Sequence, residues 1–201
     1  MKLLVATTNP NKVAELREML AGLPIELVTP ADAGAADLDV EESGETFEEN
    51  ALLKARAFAA RTGLLTLADD SGLEVATLGG RPGVRSARFA GEGANAAANN
   101  ALLLRELERA TGPHRARFRC ALALVDPKTP DAPVVVEGRC EGAVTFEPRG
   151  SNGFGYDPLF VPDAKGGRTM AELTSAEKHA ISHRGRAYAA LRPTLERLAR
   201  G

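Results

Sequence analysis

The sequence predicts an α/β protein, because strand-like apolar runs alternate with segments of helical periodicity along its 201 residues. Three features lead to this class. A short apolar run at the N-terminus turns directly into a helix, a second helix leads into the buried run Leu64–Ala68, and two later segments of alternating polarity form a hairpin. A chain of this length can bury one substantial core, or form two lobes that share a sheet.

The composition argues against several functional classes. Apolar residues make up 44% of the chain and charged residues 26%, as in ordinary soluble globular proteins. A net charge of −2 argues against a nucleic-acid-binding protein. The N-terminal apolar stretch is too short for a signal peptide, and no run approaches transmembrane length. We therefore expect a cytoplasmic protein with neither a nucleic-acid nor a membrane partner.

The first predicted strand, Lys2–Ala6, turns at Thr7–Lys12 into a helix with apolar residues at Val13, Leu16, Leu20 and Leu23. The start of a helix presents unpaired backbone N–H groups and the positive end of the dipole, so this turn suits a phosphate group. Its polar side chains are those of Thr7, Thr8, Asn9, Asn11 and Lys12. The phosphate-loop pattern GxxxxGK(S/T) is absent, however, and ordinary capping by Asn9 or Asn11 explains the same residues.

A second predicted strand, Ile25–Val28, is followed by an acidic loop that contains Glu42 and then by a well-marked helix. Thr46 and Glu49 form a capping box at its start, and Gly63 is expected to end it. Lys54 lies one turn after Asn50, so both can face the same place. Because this helix leads into Leu64–Ala68, we expect Glu42, Lys54 and Asp70 to converge. The alternative for Lys54 is an exposed pair with Asn50.

The run Leu64–Ala68 continues into Asp69, Asp70, Ser71 and Gly72. Carboxylates at the end of a buried strand suit Mg²⁺, which takes carboxylate and phosphate oxygens as ligands. The alternative is a plain turn, since Asp, Ser and Gly all favour turns. Successive strand side chains point to opposite faces, so Asp69 and Asp70 are expected to have different roles.

The middle of the chain contains the clearest pairing signal. We predict a hairpin from residues Arg115–Asp126 and Val134–Phe146. It follows a predicted strand at Leu73–Leu78, a glycine-rich loop at Arg81–Gly93 and a helix at Ala94–Ala110. The hairpin places Cys120 nearly opposite Cys140. We therefore expect these two cysteines to be close cross-strand neighbours. We also expect them to be reduced, because the chain has no CxxC pattern and too few cysteines for a disulfide scaffold.

The C-terminal third carries aromatic and cationic residues in a glycine-rich setting. Glycines around Phe154 and Tyr156 allow the backbone to approach a flat ligand while a ring stacks on it; a glycine-rich turn with a core phenylalanine is the alternative. Capping boxes at Thr169 and Thr174 predict short helices. Lys178, His183 and Arg184 then precede a final helix at Arg186–Ala199, and these residues are either donors for a base and a phosphate or structural residues.

Six motifs together resemble the inosine/xanthosine triphosphate pyrophosphatase family, in family order and over nearly the whole chain. They are T-x-N-x-x-K at Thr7–Lys12, F-x-E-N-A-x-x-K-A at Phe47–Ala55, A-D-D-S-G-L at Ala68–Leu73, P-G-x-x-S-A-R at Pro82–Arg88, G-F-G-Y-D at Gly153–Asp157, and A-E-L followed by E-K-x-A-I-S-H-R-G within Ala171–Gly185. Thr8 departs from the family pattern, since many members have glycine there.

The resemblance implies an elongated α/β fold with a long mixed sheet flanked by helices, and one domain, residues 1–201, of two lobes with a central nucleotide cleft. It implies Mg²⁺-dependent hydrolysis of ITP, dITP and XTP to a nucleoside monophosphate and pyrophosphate, by a homodimer. Asp70 is then the base, Lys54 a second catalytic residue, and Glu42 with Asp70 the metal ligands. The implied substrate-binding residues are Thr7, Thr8, Asn9, Pro10, Asn11, Lys12, Ser71, Phe154, Gly155, Tyr156, Asp157, Lys178, His183 and Arg184.

Two other functions fit parts of the same pattern. Septum-inhibitor-like nucleotide pyrophosphatases use a related fold for other nucleotides, but the motifs that end in S-H-R-G and F-G-Y-D argue against that branch. A nucleotide sensor without catalysis would not require a base, so the combination of Asp70, Lys54 and Glu42 argues against it.

Overall fold

The structure is a computed structural model that describes residues 1–200. Its helices are α1 (Pro10–Met19), α2 (Phe47–Thr62), α3 (Ala96–Glu108), α4 (Ser175–Ile181) and α5 (His183–Arg200). Its strands are β1 (Lys2–Val5), β2 (Glu26–Val28), β3 (Thr66–Val75), β4 (Arg115–Val125), β5 (Val134–Val144) and β6 (Phe160–Pro162). Among these residues, no helix is long and apolar enough to cross a membrane.

The strands form one mixed sheet in the order β2-β1-β3-β4-β5-β6. Strand β1 pairs in parallel with β2 and with β3, whereas β5 and β6 are antiparallel. The predicted α/β class with a mixed sheet is therefore confirmed.

The chain divides into two compact units, and three strands contribute to both. The first unit comprises Met1–Asp70, Cys120–Gly138 and Ala187–Gly201, and the second comprises Ser71–Arg119 and Arg139–Arg186. In the first unit, residues of β1, α1, β4 and α5 pack into one hydrophobic cluster around Leu16 and Leu122. In the second, residues of β3, α3, β4 and β5 pack with Phe160 into another. The predicted elongated shape, central cleft and single-domain boundary stay predictions.

Helix ends follow the local signals in the sequence. Asn9 caps α1, so the capping interpretation of this residue is confirmed. Thr46 and Glu49 form the predicted capping box of α2, and Gly63 ends that helix in the left-handed region at φ 68°. The boxes at Thr169 and Thr174 also form, and a short helix follows each of them as predicted: the 3-10 helix Met170–Glu172 after the first and α4 after the second.

Strand β3 differs from the sequence prediction, because it runs without a break through Asp69, Asp70, Ser71 and Gly72. The carboxylates therefore lie in the middle of a ten-residue strand, and neither the turn nor the strand end proposed for them is correct. Residues Ala76–Leu78, predicted as part of a strand, form a 3-10 turn. Ser86 helps to keep β3 extended, since its Oγ accepts a hydrogen bond from Leu73 N at 2.9 Å.

Other boundaries also differ. Helix α5 begins at His183 rather than at Arg186, so His183 and Arg184 lie in its first turn. The short strand β6 was not predicted, because three residues ending in proline carry no periodic pattern. Cys120 and Cys140 are both reduced, as predicted, and lie on the adjacent strands β4 and β5. They belong to different hydrophobic clusters, and their direct proximity stays a prediction.

Candidate active site

Two adjacent carboxylates on β3 carry the candidate site of the first unit. Asp69 and Asp70 are 4% and 6% exposed. Asp69 forms an ion pair with Lys12, and Asp70 with Lys54. Because β3 is extended at both positions, their side chains leave the strand on opposite faces. As predicted, the two aspartates differ in their surroundings, since each binds a different lysine.

Lys54 is the centre of the cluster. It projects from α2, and its Nζ lies 2.7 Å from Glu42 Oε1, 3.0 Å from the carbonyl oxygen of Asp69 and 3.4 Å from Asp70 Oδ1. The predicted convergence of Glu42, Lys54 and Asp70 is thus confirmed, and the alternative pairing of Lys54 with Asn50 is not formed. The Lys54 side chain is only 12% exposed, so its charge depends on these acceptors.

Burial and neighbouring charges have opposite effects on the pKa values of Asp70 and Lys54. Burial raises the pKa of Asp70 above its usual value, although the charges of Lys54 and Lys12 oppose the change. Burial lowers the pKa of Lys54, but the charges of Asp70 and Glu42 outweigh burial and raise it. Lys54 is therefore held as an ammonium, whereas Asp70 is a stronger base than an exposed aspartate.

Asp69 supports Lys12 rather than Lys54. Lys12, in the first turn of α1, pairs with Asp69 Oδ1, and Cys120 Sγ lies 3.3 Å from Asp69 Oδ2. Lys12 Nζ is also 3.4 Å from the Asp69 carbonyl oxygen. Since Lys54 contacts that same carbonyl, the backbone of Asp69 fixes two ammonium groups side by side.

The turn before α1 is held by its own polar groups. Asn9 N donates to Thr7 Oγ1 at 3.1 Å, and Asn11 N donates to Asn9 Oδ1 at 3.0 Å. Thr8, Pro10 and Asn11 are exposed. The turn therefore places exposed groups at the positive end of the α1 dipole, next to Lys12. Phosphate binding by these residues stays a prediction.

The residues present fit a magnesium ion held mainly by substrate. Among residues 1–200 no group of three or more His, Cys, Asp or Glu side chains could hold a metal by itself. Mg²⁺, however, is commonly bound by one or two carboxylates together with phosphate oxygens and water. Glu42 and Asp70 supply two carboxylates, and Asp70 Oδ2 is buried with no hydrogen-bond donor from the described residues.

The second unit carries a different cluster, centred on Phe154. Lys178 Nζ on α4 lies 2.7 Å from Asp157 Oδ2, and the same oxygen accepts a hydrogen bond from Phe154 N at 2.9 Å. Asp157 and Lys178 are both buried. A Cβ on Gly153 would lie 2.1 Å from Asp157 Oδ2, so only glycine permits this close approach. Asp157 therefore organises the loop and fixes Lys178.

Two cations approach the ring of Phe154. Lys178 Nζ lies 4.9 Å from the ring centroid, and Arg184 Cζ lies 5.4 Å from it. Arg184 Nη2 also donates to Ser71 Oγ at 2.9 Å. His183 is buried and stacks on Phe118 at a centroid distance of 4.6 Å. The structure thus brings Ser71, Phe154, Asp157, Lys178 and Arg184 together.

Tyr156 and Gly155 have structural partners in the same loop. The Tyr156 ring is buried in the core, and its hydroxyl donates to Ser86 O at 2.8 Å. Burial raises the pKa of Tyr156, so it stays a neutral donor. Asn100 Nδ2 on α3 donates to Gly155 O at 3.1 Å. Substrate contact by Gly155 and Tyr156 stays a prediction.

Comparison with known proteins identifies the family. Residues 3–194 match the sequence model of the Ham1 family. A dITP/XTP pyrophosphatase of Mycolicibacterium paratuberculosis is 52% identical over 201 residues, which cover 98% of this chain and 97% of that protein.

Solved structures agree with this result. The structure of a HAM1 protein from Coxiella burnetii matches with a TM-score of 0.89 and 43% identity, covering 97% of this chain and 98% of that one. The crystal structure of a nucleoside-triphosphatase / dITP/XTP pyrophosphatase from Mycobacterium abscessus is 51% identical, with a TM-score of 0.75 and coverage of 96% and 100%. The chain therefore belongs to the Ham1 family, which confirms the resemblance seen in its motifs.

Sequence reasoning missed several residues that hold these clusters. Asn50 was considered only as a neighbour of Lys54, but it is fully buried and binds the backbone of Gly44. Asn100 and Cys120 were not singled out for their contacts with Gly155 and Asp69. Only for Asn50 did the sequence carry a usable signal, since it lies on the α2 face that bears Lys54.

We expect Lys178→Met to lower the free energy of unfolding by about 3–5 kcal/mol, because it removes the ammonium from a buried carboxylate. Urea unfolding followed by circular dichroism measures this loss. Arg115→Met is the matched control in the same unit, since it breaks an ion pair with Asp163 whose side chains are 50% and 53% exposed. That variant should lose at most about 1 kcal/mol. Equal losses in the two variants would contradict the assignment of a buried pair.

Proposed function

We propose that this chain hydrolyses non-standard purine nucleoside triphosphates, namely ITP, dITP and XTP, to the nucleoside monophosphate and pyrophosphate with Mg²⁺. At the coarser level it is a nucleoside triphosphate pyrophosphatase, a hydrolase acting on acid anhydrides, because relatives that are 46% and 52% identical over nearly their full length are named dITP/XTP pyrophosphatase. The observation that carries the finer proposal is that Glu42 and Asp70 both bind Lys54, while Asp70 Oδ2 is buried and receives no hydrogen bond from the described residues.

Charge balance supports the requirement for a cation. The first cluster contains three carboxylates, Glu42, Asp69 and Asp70, and two lysines, Lys12 and Lys54. If all five are ionised, the cluster has a net negative charge and by itself repels a triphosphate. Magnesium held by Glu42 and Asp70 would neutralise phosphate charge there. Lys12 and the start of α1 would bind the remaining phosphate oxygens, while Lys54 would act on them through its charge.

Asp70 is the proposed base. Its Oδ2 has no hydrogen-bond donor among the described residues, so this oxygen can accept a proton from water. A water molecule gives its proton to Asp70 and attacks the α-phosphorus. The bond between the α-phosphorus and the bridging oxygen breaks, and pyrophosphate leaves with the bonding electrons. Lys54 stabilises the negative charge on the phosphates.

The second cluster is suited to a purine with a 6-carbonyl. Phe154 offers a ring for stacking, while Lys178 and Arg184 offer N–H donors beside it. His183 in the first turn of α5 is proposed as a further donor. Hypoxanthine and xanthine present a carbonyl at position 6, whereas adenine presents an amino group that would leave the donors unpaired. Such a mismatch rejects an analogue strongly.

The proposal includes a homodimer, which the family resemblance supports, and a cytoplasmic setting, which the composition and the short N-terminal apolar stretch support. Light scattering coupled to gel filtration tests the oligomeric state. A single species with the mass of one chain would contradict the dimer.

The proposed activity is tested by incubating the protein with ITP, dITP, XTP, GTP and ATP plus Mg²⁺ and identifying the products. We expect pyrophosphate from ITP, dITP and XTP, with a much lower rate for ATP, whose 6-amino group leaves the donors unpaired. Guanine shares the 6-carbonyl, so a lower rate for GTP would require a separate contact at position 2 of the purine. Orthophosphate as the product would indicate a phosphatase, and the absence of any product would indicate a nucleotide sensor.

We expect Asp70→Asn to keep the fold and to lose at least about 100-fold in kcat, because the amide accepts no proton from water. The rate of pyrophosphate release measures the loss. Asp163→Asn, an exposed aspartate paired with Arg115, is the control and should keep the wild-type rate. Near-wild-type turnover by Asp70→Asn would refute the assignment of the base.

We expect Phe154→Ala to raise KM by a similar factor for ITP, dITP and XTP, because the ring stacks on any purine. A loss of about 1–3 kcal/mol in stacking corresponds to a rise in KM of about 5- to 150-fold. Phe146→Ala is the control, since Phe146 is 43% exposed and packs on His114. An unchanged KM in Phe154→Ala would mean that the ring only packs against its neighbours.

A further inference from the structure

Asn50 lies at the centre of a small hydrogen-bonded arrangement that the catalytic proposal does not use. Its side chain is fully buried on α2, at 0% exposure. Its Oδ1 accepts a hydrogen bond from Gly44 N at 2.8 Å, and its Nδ2 donates to Gly44 O at 3.4 Å. Both backbone groups of one loop residue are thus held by a single amide side chain.

The loop residue itself leaves no room for a larger side chain. A Cβ on Gly44 would lie 2.7 Å from Asn50 Oδ1 and 2.7 Å from Glu49 Cβ. Directly after Gly44, the backbone of Glu45 donates to Glu49 Oε2 at 2.7 Å, and Thr46 closes the capping box. The loop is therefore fixed to the first turn of α2 by three consecutive residues.

The position of Glu42 follows from this attachment. Glu42 precedes Gly44 by two residues, and its Oε1 lies 2.7 Å from Lys54 Nζ. Lys54 is one helical turn after Asn50 on the same helix. The same rigid segment of α2 thus holds the loop that carries Glu42 and presents the lysine to which Glu42 binds. An acidic loop without secondary structure of its own would otherwise lose conformational freedom to bring this carboxylate to the cluster.

We propose that Asn50 is a positioning residue that fixes Glu42 as a metal-binding carboxylate through the backbone of Gly44. This inference rests on the proposed function, because it concerns the carboxylate that would hold magnesium. Asn50 touches neither substrate nor metal in this proposal; it acts through Glu42.

The variant Asn50→Ala tests the proposal against a closely matched control, Asn99→Ala. Asn99 is a buried asparagine on α3, its Oδ1 accepts from Ala90 N at 2.8 Å, and its Nδ2 donates to Ala87 O at 3.0 Å. Both variants remove the same amide and the same two kinds of hydrogen bond. We expect similar falls in melting temperature, so that a difference between them in metal dependence is not an effect of stability.

The first measurement is the Mg²⁺ concentration that gives half-maximal pyrophosphate release from ITP. We expect Asn50→Ala to raise it by about 10- to 100-fold, the range observed when the partners of metal ligands are removed. The KM for ITP at saturating Mg²⁺ should change little. Asn99→Ala should keep the wild-type dependence on Mg²⁺.

The second measurement is hydrogen exchange of the Gly44 amide in protein without metal or nucleotide. This amide donates to Asn50 Oδ1, so we expect its exchange to be about tenfold faster or more in Asn50→Ala. Asn99→Ala should leave it unchanged. If Asn50→Ala does not fold, Gly44→Ala replaces it, because its Cβ forces Asn50 and the loop apart; the same rise in the Mg²⁺ requirement is expected.

The outcomes separate the inference from the proposed function. An unchanged Mg²⁺ requirement in Asn50→Ala, or an equal rise in Asn99→Ala, would overturn the role of Asn50. A wild-type protein that releases no pyrophosphate from ITP would instead overturn the proposed function. Hydrogen exchange of the Gly44 amide would still test the structural role of Asn50 in that case. If this amide exchanged as slowly in Asn50→Ala as in the wild type, Asn50 would not hold the loop.

Discussion

The buried ammonium of Lys54 is the interaction on which the first cluster depends. A charge that is 12% exposed is costly unless its hydrogen-bonding capacity is met, and here a carboxylate of a loop, a backbone carbonyl and a carboxylate of β3 meet it. These acceptors come from two separate parts of the chain, the loop that carries Glu42 and strand β3. The positions of Glu42 and Asp70 are therefore set by the solvation of one lysine as well as by the backbone that carries them.

The pairing of lysines with carboxylates also separates the two aspartates. Lys12 binds the side chain of Asp69, while Lys54 binds that of Asp70, and both reach the Asp69 carbonyl oxygen. One carbonyl shared by two ammonium groups keeps them close despite their like charge. The consequence for chemistry is that Asp69 is engaged in holding Lys12, whereas Asp70 retains an oxygen to which no described residue donates a hydrogen bond.

Features that depend on residues close together in the sequence were predicted better than features that depend on distant partners. The capping boxes at Thr46 and Thr174 and the left-handed glycine at Gly63 were predicted because each depends on residues within one helical turn. Residues 69–72 were assigned to a strand end or a turn because Asp, Ser and Gly favour turns. They are extended because distant groups satisfy this stretch: Lys12 and Lys54 bind the Asp69 carbonyl, and Ser86 binds Leu73 N. No pattern in the sequence shows partners so far away along the chain.

In both units, asparagine side chains on helices bind backbone groups of loops. Loops that carry functional groups lack the regular hydrogen bonds of strands and helices, so their buried backbone groups need other partners. In the first unit Asn50 binds Gly44, and in the second Asn100 binds Gly155. An asparagine side chain can donate and accept at once, which lets it replace a missing strand neighbour. The candidate site is accordingly held by residues that perform no chemistry, and motif matching by itself assigns them no role because their function lies in the backbone they bind.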